Sequence, residues 1–304
     1  MTQPREIRPG RYYLITRRCV QRQFFLRPGK VTNAVFEFVL AESASLFSIE
    51  IVAWMAMSNH YHAVVRDPLG QLPRFLGRFH YLVARALNSH WGRWENFWTA
   101  SEQTCITHLV TMDDVFDKVV YTLANPVADH LVEKVSDWPG SSAFRRLAGS
   151  AKVVERPSHF FRDQGPVPRT ATLETTPPEI RGESATQWAA RVRAAVKREE
   201  DRAREKRASS GQSVLGKVAI LTASFLDKPK TREPRRNLKP NVACKTPQLR
   251  VAALLALKAF RHAYARARGL FAEGVRDVVF PAGTWDLRRL GVRCCQDIAR
   301  AGAS

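Results

Sequence analysis

The apolar residues between positions 12 and 125 switch repeatedly between periods of two and of about 3.6, and the order of those switches leaves few ways to fold. Residues 12–18 (YYLITRR) are β-prone and short. In 31–46, Val31, Val35, Phe38, Val39 and Leu46 recur near helical spacing. Residues 49–57 and 60–65 are apolar runs parted by Ser58-Asn59, a tight connection between antiparallel strands. Helical spacing returns over 73–90 through Phe75, Leu76, Phe79, Leu82, Val83, Ala86 and Leu87, and 105–110 reads as a fourth strand. Thr111 and Asp114 have the spacing of a capping box ahead of a third helix, and Pro126 predicts its end near Asn125. The order βαββαβ plus a terminal helix predicts an α+β fold, a ferredoxin-like antiparallel sheet with helices on one face.

Charge divides the 304-residue chain. Net +20 and a pI near 10.4 point to a polyanionic partner, with nucleic acid the first candidate. Residues 1–164 hold 20 Lys/Arg against 15 Asp/Glu, so most of the excess lies in the other half. A Pro- and Thr-rich stretch with Pro166, Pro168, Pro177 and Pro178 resists helix and strand. This predicts one domain over 1–162, a linker over 163–186 and a basic, mainly helical region over 187–304 as a candidate DNA-binding extension. In that region, 187–209 carries a narrow apolar stripe of Trp188, Val192, Ala195 and Val196 in dense charge, which reads as a solvated helix. Residues 228–239, with Arg235 and Arg236, read as an extended arm for phosphates. The five cysteines lack paired zinc spacing, and no apolar run reaches the roughly 18–20 residues of a membrane span. The expected location is cytoplasmic and nucleoid-associated, with no membrane partner.

The chemistry-bearing residues fall on the second hairpin strand and the third helix. A strand's period of two projects His60 and His62 from one face, about 7 Å apart along the chain. Tyr121 and Asn125, four apart, share one face of the helix. If the two faces meet, two imidazoles and an amide oxygen form a partial metal shell beside an oxygen nucleophile, an inventory suited to phosphoryl transfer. The same spacings also occur as a hydrogen-bonded histidine pair and as ordinary helix packing, so pattern alone leaves both readings open.

At these residues the chain resembles a known family. Met57-Ser58-Asn59-His60-Tyr61-His62-Ala63-Val64-Val65 is similar to the His-hydrophobic-His signature of single-tyrosine HUH transposases, in particular the REP-associated tyrosine transposases. Tyr121-Thr122-Leu123-Ala124-Asn125-Pro126-Val127, followed by Trp138-Pro139-Gly140-Ser141-Ser142, resembles the family's Tyr-x-x-x-Asn-Pro-Val helix and trailing Trp-x-Ser-Ser turn. The resemblance spans about residues 11–144. It departs from the family at Ser58, where proline is expected, and over 91–104. It implies that His60, His62 and Asn125 are metal ligands and Tyr121 the nucleophile. It further implies Mg2+ or Mn2+ and a covalent 5′-phosphotyrosine intermediate; the ligand types alone also admit zinc.

Arg17, Arg18, Arg22 and Gln23 follow the first strand and are candidate DNA contacts, as are Trp94 in an aromatic and basic stretch and Arg235 and Arg236. The expected partner is single-stranded DNA with hairpin or repeat elements, and the expected assembly a monomer or homodimer. Two functions are carried forward: a transposase-type endonuclease that cuts and rejoins single strands, and a domesticated nucleic-acid-binding protein, for DNA or RNA, that no longer cuts.

Overall fold

A computed structural model describes residues 4–99, 104–158, 160–231, 240–285, 287 and 290–295. Strand β1 (Arg11–Arg18) leads to helix α1 (Lys30–Leu46), the hairpin β2 (Glu50–Ala56) and β3 (His60–Asp67), helix α2 (Leu72–His90), strand β4 (Cys105–Leu109) and helix α3 (Met112–Ala128). The sheet order β2-β3-β1-β4, antiparallel throughout, is the ferredoxin-like order the sequence predicts. The Asp67 carboxylate ends β3 and starts α2 at once, accepting from the Gln71 and Leu72 backbone N–H groups at 2.8 and 2.9 Å.

The two faces of the sheet carry different helices. On one face Tyr61 packs edge-on against Phe36 of α1 and Phe79 of α2, with ring centroids 5.7 and 5.4 Å away. The alternate residues of β3 face α3, whose Tyr121 ring lies 5.2 Å from that of His62. The expectation of helices on one face therefore holds for α1 and α2, and α3 covers the other. Its predicted capping box forms, with Thr111 Oγ1 accepting from Asp114 N and the Asp114 carboxylate accepting from Thr111 N. Its predicted end does not. Helix α3 runs on through Pro126 to Ala128, because near a C-terminus a proline removes only one ladder bond and the following N–H groups still find the carbonyls of Asn125, Pro126 and Val127.

The Pro- and Thr-rich stretch is not a free linker. Strand β6 (Thr170–Leu173) pairs antiparallel with β5 (Lys152–Glu155), and both lie against α1. Composition missed this strand because its support is tertiary: Leu173 is fully buried against α1, and Thr176 N donates to Ile51 O in the sheet at 2.7 Å.

The basic region is likewise built onto the sheet domain. Helix α4 (Ala185–Ser210) sinks its stripe against α3, with Trp188 edge-on to Phe116 at 5.6 Å and the Arg191 guanidinium over both rings. Glu200 accepts from Val135 N at 2.8 Å, and Arg207 pairs with Glu133 at 2.5 Å. The helix expected to be solvated is a buttress for α3, since a stripe too narrow to make its own core still fits one partner helix. A short helix α5 (Lys217–Thr222) follows, strand β7 (Val242–Ala243) extends the sheet parallel to β4, and a long helix α6 (Pro247–Ala272) packs beside it. Among the described residues no helix is long and apolar enough to cross a membrane.

Candidate active site

Register alone puts most of the site together. Strand β1 pairs with β3 so that Thr16 lies opposite His62 and Arg18 opposite His60, all on the face that α3 covers. His60 Nε2 and His62 Nε2 approach to 3.1 Å. Their outer nitrogens are both held: His60 Nδ1 donates to Asn59 Oδ1 at 2.7 Å, and His62 Nδ1 meets Thr16 Oγ1 at 2.8 Å.

These partners fix the chemistry of the pair. An amide oxygen only accepts, so the His60 proton sits on Nδ1 and its Nε2 presents a lone pair to His62. Thr16 both donates and accepts, and therefore serves either tautomer of His62: Nε2 can give its proton to His60, or present a second lone pair to a cation between the rings. Burial of His62 pushes its pKa well below the usual histidine range, and His60 beside it adds to that, which keeps the imidazole neutral as metal ligation requires.

Helix α3 supplies the other two groups. Asn125, buried on the helix, brings its amide Nδ2 to 3.5 Å from His62 Nε2, while its Oδ1 is buried with no hydrogen-bond partner. Tyr121, one turn earlier, is 49 % exposed, with the Lys118 ammonium 5.4 Å from its ring centroid. Burial of its hydroxyl, with Asp129 and Cys105 nearby, raises the Tyr121 pKa, so the phenol is protonated at neutral pH.

The donor set fits a divalent cation. Two nitrogens bound at about 2.1 Å and a right angle lie about 3.0 Å apart, close to the observed Nε2 separation. A half-turn of the Asn125 amide places its orphaned oxygen on His62's side, as a third ligand. Among the described residues no group of three His, Cys, Asp or Glu side chains could hold a metal, so a third protein ligand beside the two histidines would be of another type, such as this amide oxygen.

The remaining predicted contacts are scattered. Arg18 lies on the site face beside His60. Arg17 points to the other face, where its guanidinium donates to His80 Nδ1 at 2.5 Å and lies over Trp98. Arg22 and Gln23 reach the carbonyls of Thr231 and Leu226. Trp94 is 90 % exposed, whereas Trp98 is core and caps its indole N–H on His80 O. Arg235 and Arg236 lie outside the described residues. Sequence reasoning missed Thr16, Asn59 and Lys118. Lys118 had a signal, three residues before Tyr121 on one helix face; Thr16 had none until the strand register placed it.

Neither a family model nor a curated protein matches the chain. Among solved structures it is similar to a REP-associated tyrosine transposase bound to a REP hairpin, at 19% identity over 54% of this chain and 99% of that one, with a TM-score of 0.39. It is also similar to a putative transposase from Deinococcus radiodurans R1, at 22% identity over 35% of this chain and 84% of that one, with a TM-score of 0.27.

Proposed function

We propose that this chain is a transposase-type enzyme that cuts and rejoins single-stranded DNA through Tyr121, with His60, His62 and Asn125 holding a divalent ion. The observation that carries the reading is the convergence, on one face, of two Nε2 atoms 3.1 Å apart, a buried amide oxygen without a partner and a half-exposed tyrosine. The ion, Mn2+ or Mg2+, would supply positive charge against the oxygens of a scissile phosphate.

The protein's own groups do the rest. Tyr121 Oη attacks phosphorus and forms the new P–O bond as the bond to the 3′-oxygen breaks. The phenol proton passes to that leaving oxygen, giving a 5′-phosphotyrosine and a free 3′-hydroxyl. Lys118 stabilises the phenolate character that develops on the ring. A phenol ionises near pKa 10, far below an aliphatic alcohol, so Tyr121 remains a good leaving group when a 3′-hydroxyl attacks the linkage and restores a phosphodiester without ATP. The net charge of +20 provides the sequence-independent attraction for the strand.

The test is an adduct assay with Mn2+ or Mg2+ and hairpin-bearing single strands drawn from repeats that flank the gene. A protein–DNA band that survives denaturing electrophoresis in the parent and is absent in Tyr121→Phe and in His60→Ala/His62→Ala is the expected result. Tight binding with no adduct, for strands covering both sides of the repeat and both metals, would overturn the enzyme reading in favour of a DNA-binding protein.

A further inference from the structure

Residues 221–231, running from the end of α5 into the start of the basic arm, form a strap across the loop that follows β1. Four side-chain hydrogen bonds hold it, all from loop donors to strap carbonyls: Arg22 to Thr231 at 2.8 Å, Gln23 to Leu226 at 3.4 Å, and Arg27 to Leu221 and Ala223 at 3.3 and 2.7 Å. One backbone bond, Phe24 N to Asp227 O, joins them. At the centre, the Phe225 ring lies flat on Trp91, with centroids 4.7 Å apart and planes 12° from parallel, and the Arg27 guanidinium sits over the same indole at 5.3 Å.

The strap is lightly held. Leu221 and Leu226 are 38 and 53 % exposed, three of the four side-chain bonds are at the surface, and Phe225 is its one aromatic anchor. The loop beneath it adjoins the candidate site: Leu26 N donates to Ser58 O and Cys19 N to Asn59 O, on the turn that presents His60. The side chains the strap occupies are of types able to meet a single strand. A parallel ring on an indole mimics a stacked base, and arginine and glutamine donors satisfied by carbonyls would equally meet phosphate or base-edge oxygens.

We propose that the face of Trp91 that Phe225 covers, flanked by Arg27, Arg22 and Gln23, is a stacking site for one unpaired nucleobase of a DNA strand entering the His60 end of the sheet, and that Phe225 fills it until the strand displaces the strap. The inference rests on the single-strand reading above, but it concerns binding and needs no cleavage. Occupancy by Phe225 lowers the apparent affinity by the fraction of molecules in which the site is open.

The test is fluorescence anisotropy of the full chain with a labelled oligo(dT) single strand and, separately, a labelled duplex of equal length. Phe225→Ala should bind the single strand at least about threefold more tightly than the parent and leave duplex affinity unchanged. Trp91→Leu, placed in the Phe225→Ala background, should weaken single-strand binding about 5- to 150-fold, and Trp91→Phe, which keeps an aromatic face, should restore most of it. That rescue separates lost stacking from lost folding. Equal single-strand affinity in Phe225→Ala and the parent, an equal gain on duplex, or a Trp91→Leu variant that binds undiminished would each overturn the proposal. Adduct formation is scored independently: an adduct with no Phe225 effect sinks the strap alone, and a Phe225 effect with no adduct sinks the enzyme reading alone.

Discussion

Asn125→Leu should make the metal-free protein more stable while sharply weakening its response to metal. The Asn125 Oδ1 is buried and has no partner, a state that costs about 1–3 kcal/mol. The amide's contact with the histidine pair, Nδ2 to His62 Nε2 at 3.5 Å, is at the limit of a hydrogen bond and returns little of that. Leucine nearly matches the shape of asparagine, so it removes the orphaned oxygen without opening a cavity. The net expectation is a gain of about 1–2 kcal/mol in EDTA, or a Tm higher by about 2–4 °C for a chain of this size. Ligand linkage supplies the second half. At Mn2+ one hundred times its Kd the parent gains about 2.7 kcal/mol, and a variant lacking one of three protein ligands gains far less at the same concentration. Thermal and urea unfolding of both proteins, each with EDTA and across a Mn2+ titration, measures both effects. A variant less stable than the parent in EDTA would refute the unsatisfied-oxygen reasoning, and one that keeps the full Mn2+ shift would remove Asn125 from the ligand set.

Thr16→Val preserves shape but leaves His62 Nδ1 without its hydroxyl, so Mn2+ affinity by isothermal titration should fall about 10- to 100-fold with native circular dichroism retained; an unchanged affinity would show that Thr16 does not orient the ring. Trp188 is 1 % exposed against α3 and its indole N–H is buried without a partner, so Trp188→Ala should cost about 2–4 kcal/mol in urea unfolding whereas Trp188→Phe, which sheds the orphaned donor, should cost under about 1; equal losses would show that the packing of α4 on α3 is not what Trp188 contributes. His108 is driven down to about 4, chiefly by burial and then by Arg11, so the folded protein keeps it neutral while the unfolded chain takes a proton below about pH 6.5. Stability should therefore be lost as pH falls from about 6.5 towards 4, by up to about 3 kcal/mol, and His108→Gln should flatten that part of the profile; parallel profiles for the two proteins would contradict the assignment.

Local chemistry was written plainly in the chain. Period-two and period-3.6 runs located β1–β4 and α1–α3, because in a two-layer fold each element must bury one face and its sequence carries that face's period. The Thr111–Asp114 cap was legible because both partners lie within one helical turn. So were the shared face of His60 and His62 and that of Tyr121 and Asn125, each set by backbone geometry alone.

What two residues do across the fold was not legible. Whether α3 lies over the histidine face, that Thr16 rather than another strand residue meets His62, and that Asn125 buries an oxygen with no partner are outcomes of strand register and helix placement. The Pro- and Thr-rich strand β6 and the charged helix α4 were misread for the same reason, since each is stable only through the neighbour it covers. Arg22 and Gln23 read as a loop open to nucleic acid, and only the folded chain shows a strap some two hundred residues later lying on it, with Phe225 stacked on the neighbouring Trp91. Sequence determined which faces existed and what chemistry each carried. Tertiary structure decided which faces met, because contacts between distant segments depend on the summed packing of the whole chain and leave no local period to read.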